Sequence, residues 1–341
     1  MRILVVGGQG FYGSKVAEAV GRLPGVSVAV GGRRGPVVVD LGRPETFSVF
    51  GNFDVVIGCQ DSVGAAADAA LSWCVAHGKT WLDLGADPIS VERMLALKPA
   101  GPGRAVLGVG LFPGLSTALA AEAAAATGRP QRVELGIRLA ALSGAGRGIC
   151  ALMVALLKHP SMWYLGGQRL TGPALGPDKV FTFRGSSAAI AQRVGLPDVA
   201  LIHEATGAPD VAVRLAIKPG CLRPGFALTA TLVRVAGPLR RPLLGLVRWN
   251  LLFLRAFLLK RVPASVQITA VAEPGGHTVR LACPDGQWAT AVGVAAAVAC
   301  LQAGQGLPTP GVHGVGTAFP PDALLAHAQR LEPRIEVDHG R

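Results

Sequence analysis

Arg2 to Val6 form a run of apolar positions that reads as a buried strand, and it ends on Gly7, Gly8, Gly10 and Gly13. From Ser14 to Leu23 the spacing turns helical, through Val16, Val20 and Leu23. Similar short apolar runs predict a second strand at Val26–Val30, a third at Val37–Val39, a fourth at Asp54–Gly58, a fifth at Thr80–Leu84 and a sixth at Val106–Val109. Helices over Val63–His77 and Ala118–Ala126 come between or after them, and Leu41–Phe50 is a connection with some helical character. Strands alternating with helices predict an α/β fold around a doubly wound parallel sheet.

The pattern changes after residue 130. Val133, Leu135, Ile137 and Leu139 recur with period two opposite Glu134, Gly136 and Arg138, so Arg132–Ala140 reads as a half-buried strand of a new sheet. A second glycine-rich loop, Ser143–Gly148, leads into an apolar helix at Ile149–Leu157. A Gly/Pro-rich connection follows Tyr164 and reaches a strand at Lys179–Arg184, and Val211–Ala216 and Phe226–Val235 continue the second domain. Pro238–Val262 reads as one largely helical segment on which Arg241, Arg248 and Arg255 recur every seven residues and drift only ~20° per step, forming a basic stripe. Strands at Val266–Val271 and His277–Cys283 flank a hairpin turn, an alanine-rich helix spans Ala289–Ala303, and Gly311–Phe319 leads to a last helix at Pro321–Leu331. The polar tail, Glu332–Arg341, reads as frayed.

With 341 residues, half of them hydrophobic, the chain can bury a sizeable core. A net charge of +12 admits an anionic substrate, a membrane surface or nucleic acid. No long basic run with interleaved aromatics occurs, so nucleic acid is not expected as a partner. The six cysteines are scattered without metal-binding or redox spacing and read as reduced, mostly buried thiols, with no metal expected. The opening residues enter a strand without the pattern of an export signal, so a cytoplasmic protein is expected. Gly-x-Ser-x-Gly and His-Glu-x-x-His do not occur, which sets aside serine hydrolase and zinc protease chemistry.

Gly8, Gly10 and Gly13 fit G-x-G-x-x-G, the turn that brings backbone close to a dinucleotide pyrophosphate at a helix N-terminus; Gln9, Phe11 and Tyr12 complete the loop. About 20 residues beyond such glycines an NAD site places a carboxylate. Here stand Arg33 and Arg34, which can pair with a 2′-phosphate or decorate a solvent loop, so NADP(H) is the expected cofactor. Asp40 can accept from an adenine amino group or cap the next helix. Cys59, Gln60 and Asp61 after the fourth strand, and the turn Phe112-Pro113-Gly114 after the sixth, fall where strand ends meet a nicotinamide; Asp61 or Ser62 can instead cap the next helix, and a structural turn would also explain the second stretch. Arg147, Lys158, His159 and Tyr164 are the candidates for a proton donor or charge partner, each open to a structural role instead. Neither Tyr12 nor Tyr164 has a lysine four residues on, so a Tyr-x-x-x-Lys couple is absent.

The set GGQGFYG, GGRR, DVVIGCQD, WLDLGADP and VGLFPGLSTALA resembles the saccharopine dehydrogenase (saccharopine reductase-like) family. Its G-x-x-P-G-[LI] turn entering a helix is the most telling part. The likeness is specific over Met1 to about Ala126 and looser afterwards. It implies an NADP-binding Rossmann domain, residues 1–129 and 310–341, interrupted by a mixed α/β substrate and dimerisation domain, residues 130–309. It also implies an oxidoreductase acting on a C–N, carbonyl or enoyl group of a small anionic or lipophilic metabolite. The competing reading is a non-catalytic NADP-binding redox sensor or scaffold. Residues 238–262 carry more Leu and Phe than one small core can hide, so a homodimer is expected, with peripheral contact to the inner membrane face as the alternative.

Overall fold

The computed structural model describes residues 1–59, 65–140, 154, 156–157, 159–185, 188–257, 264–306 and 309–340, with backbone alone at 65 and 254–257. Gln60, Asp61, Arg147 and Lys158 lie outside these residues, as does most of the second glycine-rich loop and its helix. Strands β1 (Arg2–Val6), β2 (Ser27–Gly32), β3 (Val37–Val38), β4 (Val55–Gly58), β5 (Thr80–Asp83) and β6 (Arg104–Leu107) come first, with helices α1 (Phe11–Gly21), α2 (Ala65–Ala76), α3 (Pro88–Leu95) and α4 (Ser116–Ala125). The middle of the chain supplies β7 (Arg132–Ala140), β8 (Ser161–Leu165), β9 (Gln168–Gly172), β10 (Asp178–Thr182), β11 (Ala188–Arg193), β12 (Asp210–Lys218), β13 (Val266–Glu273) and β14 (His277–Cys283). Its helices are α5 (Asp198–Thr206), α6 (Arg223–Val235) and α7 (Arg240–Phe257). The end adds α8 (Gly286–Gln302), β15 (Gly311–Gly314), α9 (Val315–Ala318), α10 (Pro321–Leu331) and β16 (Glu336–Gly340).

Two compact units result: Met1–Glu122 with Ala200–Gly207 and Trp288–Pro333, and Ala123–Val199 with Ala208–Gln287 and Arg334–Arg341. The first holds a seven-stranded, all-parallel sheet in the order β15-β6-β5-β4-β1-β2-β3. From β3 to β6 this is the 3-2-1-4-5-6 order of a dinucleotide-binding fold, reversing direction between β1 and β4. Leu4 and Val6 join a core of Phe47, Phe50, Leu71 and Trp81 on one face. Ile3 and Val5, also without exposure, point by strand alternation to the other face, where α1 packs. Burial on both faces explains why these strands read as unbroken apolar runs.

Helix α8 belongs almost wholly to the first unit, so the chain returns there at Trp288, where the sequence places the boundary at 310. Its alanine-rich surface allows a close approach: a Cβ on Gly293 would lie 2.2 Å from the Gly110 carbonyl oxygen. Arg22 stacks over Trp288 at 4.7 Å, and Gln302 donates to the Pro24 carbonyl at 3.0 Å, which ties α8 to the end of α1.

The second unit is a mixed sheet ordered β10-β11-β12-β7-β13-β14-β16, parallel only between β12 and β7, with the hairpin β8–β9 on β12. It curls so that β10 covers the polar side of its centre. The Phe181 ring lies over Gly136, where a Cβ would come within 2.5 Å of it, and Thr269 donates to the Thr182 carbonyl at 3.0 Å. Two expectations are corrected here. The tail is not frayed: Glu336–Gly340 pairs antiparallel with β14 as an edge strand, because backbone pairing needs no apolar side chains. The stretch after Tyr164 is not a plain connection: Gly166 and Gly167, at φ +57° and +78°, turn β8 into β9 as a two-residue hairpin. The helix expected over 238–262 is present as α7 as far as Phe257.

Candidate functional site

The carboxyl ends of β1 and β2 place the glycine loop and the two arginines on one edge of the parallel sheet. Gly7 turns at φ +80°, its N–H donates to the Gly31 carbonyl at 2.8 Å, and Gly10 N–H returns to the Gly7 carbonyl at 2.8 Å. No side chain fits at Gly8 or Gly13. A Cβ on Gly8 would lie 2.8 Å from Val30, and one on Gly13 would lie 2.2 Å from the Gly7 oxygen and 2.7 Å from Gly8 Cα. Helix α1 therefore starts close against β1, with Gly10 as its N-cap, no side-chain cap and no acid in its first turn. Ser14 N–H is the first to bond within the helix, to Gly10. The positive end of the helix dipole stands at this turn, with no acid in the first turn to neutralise it, an arrangement suited to an anion.

Arg33 and Arg34 form the turn directly after β2 and are exposed. Neither has an ion-pair or hydrogen-bond partner among the described residues. Asp40 is engaged locally: its Oδ1 accepts Gly42 N–H at 3.0 Å, its N–H donates to Thr46 Oγ1 at 3.1 Å, and it caps no α-helix.

At the end of β4, Cys59 follows Gly58, where a Cβ would lie 2.5 Å from the Trp81 ring. Trp81 Nε1 donates to Asp83 Oδ2 at 3.1 Å, and Gly85 N–H donates to Asp83 Oδ1 at 2.7 Å, so the fully buried Asp83 ties off the end of β5. Burial, and next the Asp83 carboxylate, push the Cys59 thiol far above its ordinary range. It stays a neutral thiol at physiological pH. After β6 the chain bends sharply through Leu111–Leu115: Gly114 sits at φ +138°, Pro113 packs against Gly108, and Leu115 N–H closes the bend on the Gly110 carbonyl at 2.9 Å. Ser116 and Thr117, fully buried, then begin α4.

These groups stand at the carboxyl ends of neighbouring strands in the first unit. His159 precedes β8 and Tyr164 lies within it, opposite Val211 of β12, both in the second unit. The Trp81–Asp83 pair is a feature that apolar patterning passes over, although two residues apart on a strand share a face. Lys15, 5.7 Å over the Phe11 ring in the first turn of α1, is a second; its signal was the four-residue spacing.

No family profile and no curated protein sequence matches the chain. Its fold does have solved counterparts. Apo saccharopine dehydrogenase (L-Glu forming) from Saccharomyces cerevisiae aligns with a TM-score of 0.67 at 12% identity, covering 100% of both chains. A homospermidine synthase from Legionella pneumophila, solved with NAD, aligns with a TM-score of 0.65 at 10% identity, covering 99% of this chain and 91% of that one. The chain thus has the saccharopine dehydrogenase fold that its first 126 residues resemble in motif.

Proposed function

We propose that this protein is an NADP(H)-dependent oxidoreductase acting on a C–N, carbonyl or enoyl group of a small anionic or lipophilic metabolite. The observation that carries the reading is the pairing of an acid-free α1 N-terminus, which has no side-chain cap, with two arginines on the same sheet edge that have no partner among the described residues. The glycine cradle fits a pyrophosphate, held by the N–H groups of Phe11 to Gly13 with Gly8, Gln9 and Gly10 beneath it. Arg33 and Arg34 would hold the 2′-phosphate, to which a carboxylate at that place would be repulsive. The turn Phe112–Gly114, the neutral Cys59, and Gln60 and Asp61 would flank the nicotinamide, and Asp40 would lie toward the adenine. When bound, the cofactor supplies or accepts the hydride. The chain's own share is position, a proton and a charge partner, for which Arg147, Lys158, His159 and Tyr164 remain the candidates. The second unit would bind the substrate.

Titration of the purified protein with NADPH and NADH, followed by cofactor fluorescence, tests the cofactor. NADPH is expected to bind at least about tenfold more tightly, since each charge-assisted bond contributes ~1.5–3 kcal/mol. The Arg33→Ala, Arg34→Ala double variant should lose that preference without losing stability. Preferential NADH binding, unchanged in the double variant, would overturn the assignment. A screen of amino-acid, imine, ketone and enoyl substrates for NADPH oxidation then tests catalysis, and tight binding with turnover of none would favour the sensor reading.

A further inference from the structure

Helices α6 and α7 form a hairpin joined by a 3₁₀ turn at Gly237–Leu239. More than half of the large exposed apolar side chains among the described residues lie on it. On α6 they are Leu228, Leu232 and Val235, spaced i, i+4, i+7; on α7 they are Leu246, Trp249 and Phe253, spaced i, i+3, i+7. Trp249 is 62% exposed, with its ring stacked on Phe253 at 5.5 Å. The half-buried side of α7 is a separate stripe through Leu243, Val247 and Leu251. The apolar face is thus additional to what packing inside the unit requires.

Charge decides what covers it. No Asp or Glu occurs between Asp210 and Glu273, while Arg234, Arg241 and Arg248 are exposed and without partners among the described residues. A two-fold dimer through this face would set the same basic surface against itself, with no acid in the stretch to neutralise it. Anionic headgroups would pair with the arginines while Leu, Trp and Phe enter the acyl boundary. No helix among the described residues is long and apolar enough to cross a membrane, so the geometry is that of a helix lying in the interface.

We propose that the α6–α7 hairpin docks the protein on an anionic lipid membrane. Flotation of the full chain with vesicles of phosphatidylcholine alone, and of phosphatidylcholine mixed with phosphatidylglycerol, tests it. Binding to the mixed vesicles only, weakened by added salt and accompanied by a blue shift of tryptophan emission, is expected. Arg241→Gln and Arg248→Gln should each weaken it about fivefold. Trp249→Ser with Phe253→Ser should abolish it while circular dichroism and NADPH binding stay unchanged, and the surface arginine variants keep the test valid should that pair fail to fold. Failure to float, equal flotation with neutral vesicles, or a dimer in sedimentation that Trp249→Ser with Phe253→Ser dissolves, would each overturn the proposal.

Discussion

In β1 of the first unit every residue from Ile3 to Val6 is buried, whereas in β14 of the second unit only Val279, Leu281 and Cys283 are, with half-exposed residues between them. The parallel sheet is covered by helices on both faces, which leaves polar groups only at the strand ends. That is why the glycine loop, Arg33, Cys59, Asp83 and the Phe112–Gly114 bend all gather at its carboxyl edge. The mixed sheet is covered on one side by its own curled edge, and there it buries charge in pairs. Glu134, 6% exposed, accepts from Lys179 and, at 3.4 Å, from Arg214, and Arg138 sits 5.9 Å over the Phe183 ring. A sheet with dry faces keeps its polar groups at the rim, and one with a polar face can pair charges along its length.

Gly13→Val would break the first half of that comparison most strongly. The added atoms meet Gly7 and Gly8 backbone that cannot move without tearing α1 from β1, so a loss of at least about 4 kcal/mol in urea unfolding is expected, together with loss of NADPH binding. Glu134→Ala tests the other half. It leaves Arg214, whose side chain is only 12% exposed, without its carboxylate, at a cost of about 3 kcal/mol. Glu134→Gln, which keeps the acceptor oxygen, should cost about half as much, and equal costs would mean that charge does not matter there.

Thiol labelling sharpens the contrast between dry and wet surroundings. Burial pushes the Cys74 thiol up to about 12 and that of Cys300 up to about 11, and Cys59 is raised as well, while Cys221 of the second unit is exposed. With iodoacetamide at pH 8, peptide mapping should find Cys221 modified well before those three, and rates at Cys300 should rise as pH approaches its raised value. Cys221 is the exposed exception among the described cysteines, three of which are buried. The smallest effect belongs to His327, whose pKa is lowered from 6.5 by burial and then by Arg330. The unfolded chain takes up that proton first, so stability falls slightly as pH drops below about 6.5, and His327→Gln should flatten the slope.

The sequence determined β1 to β6 of the first unit to within a few residues. Each of those six strands carries a short apolar run, the positive backbone angles among the described residues fall on glycines, and the conflict between Gly13 and the Gly7 carbonyl is implicit in a motif seven residues long. The basic, apolar character of α7 was equally legible, since both of its stripes follow from helical spacing alone. Tertiary structure decided what depends on distant partners. Glu336–Gly340, almost all polar, is a strand only because β14 offers it an open edge, and α8 joins the first unit because Gly293 meets a carbonyl at residue 110. Phe181 covers Gly136 through the curl of a whole sheet. Local periodicity records which face of an element is buried, but the identity of what buries it is a non-local fact, and the chain's spacing carries no trace of it.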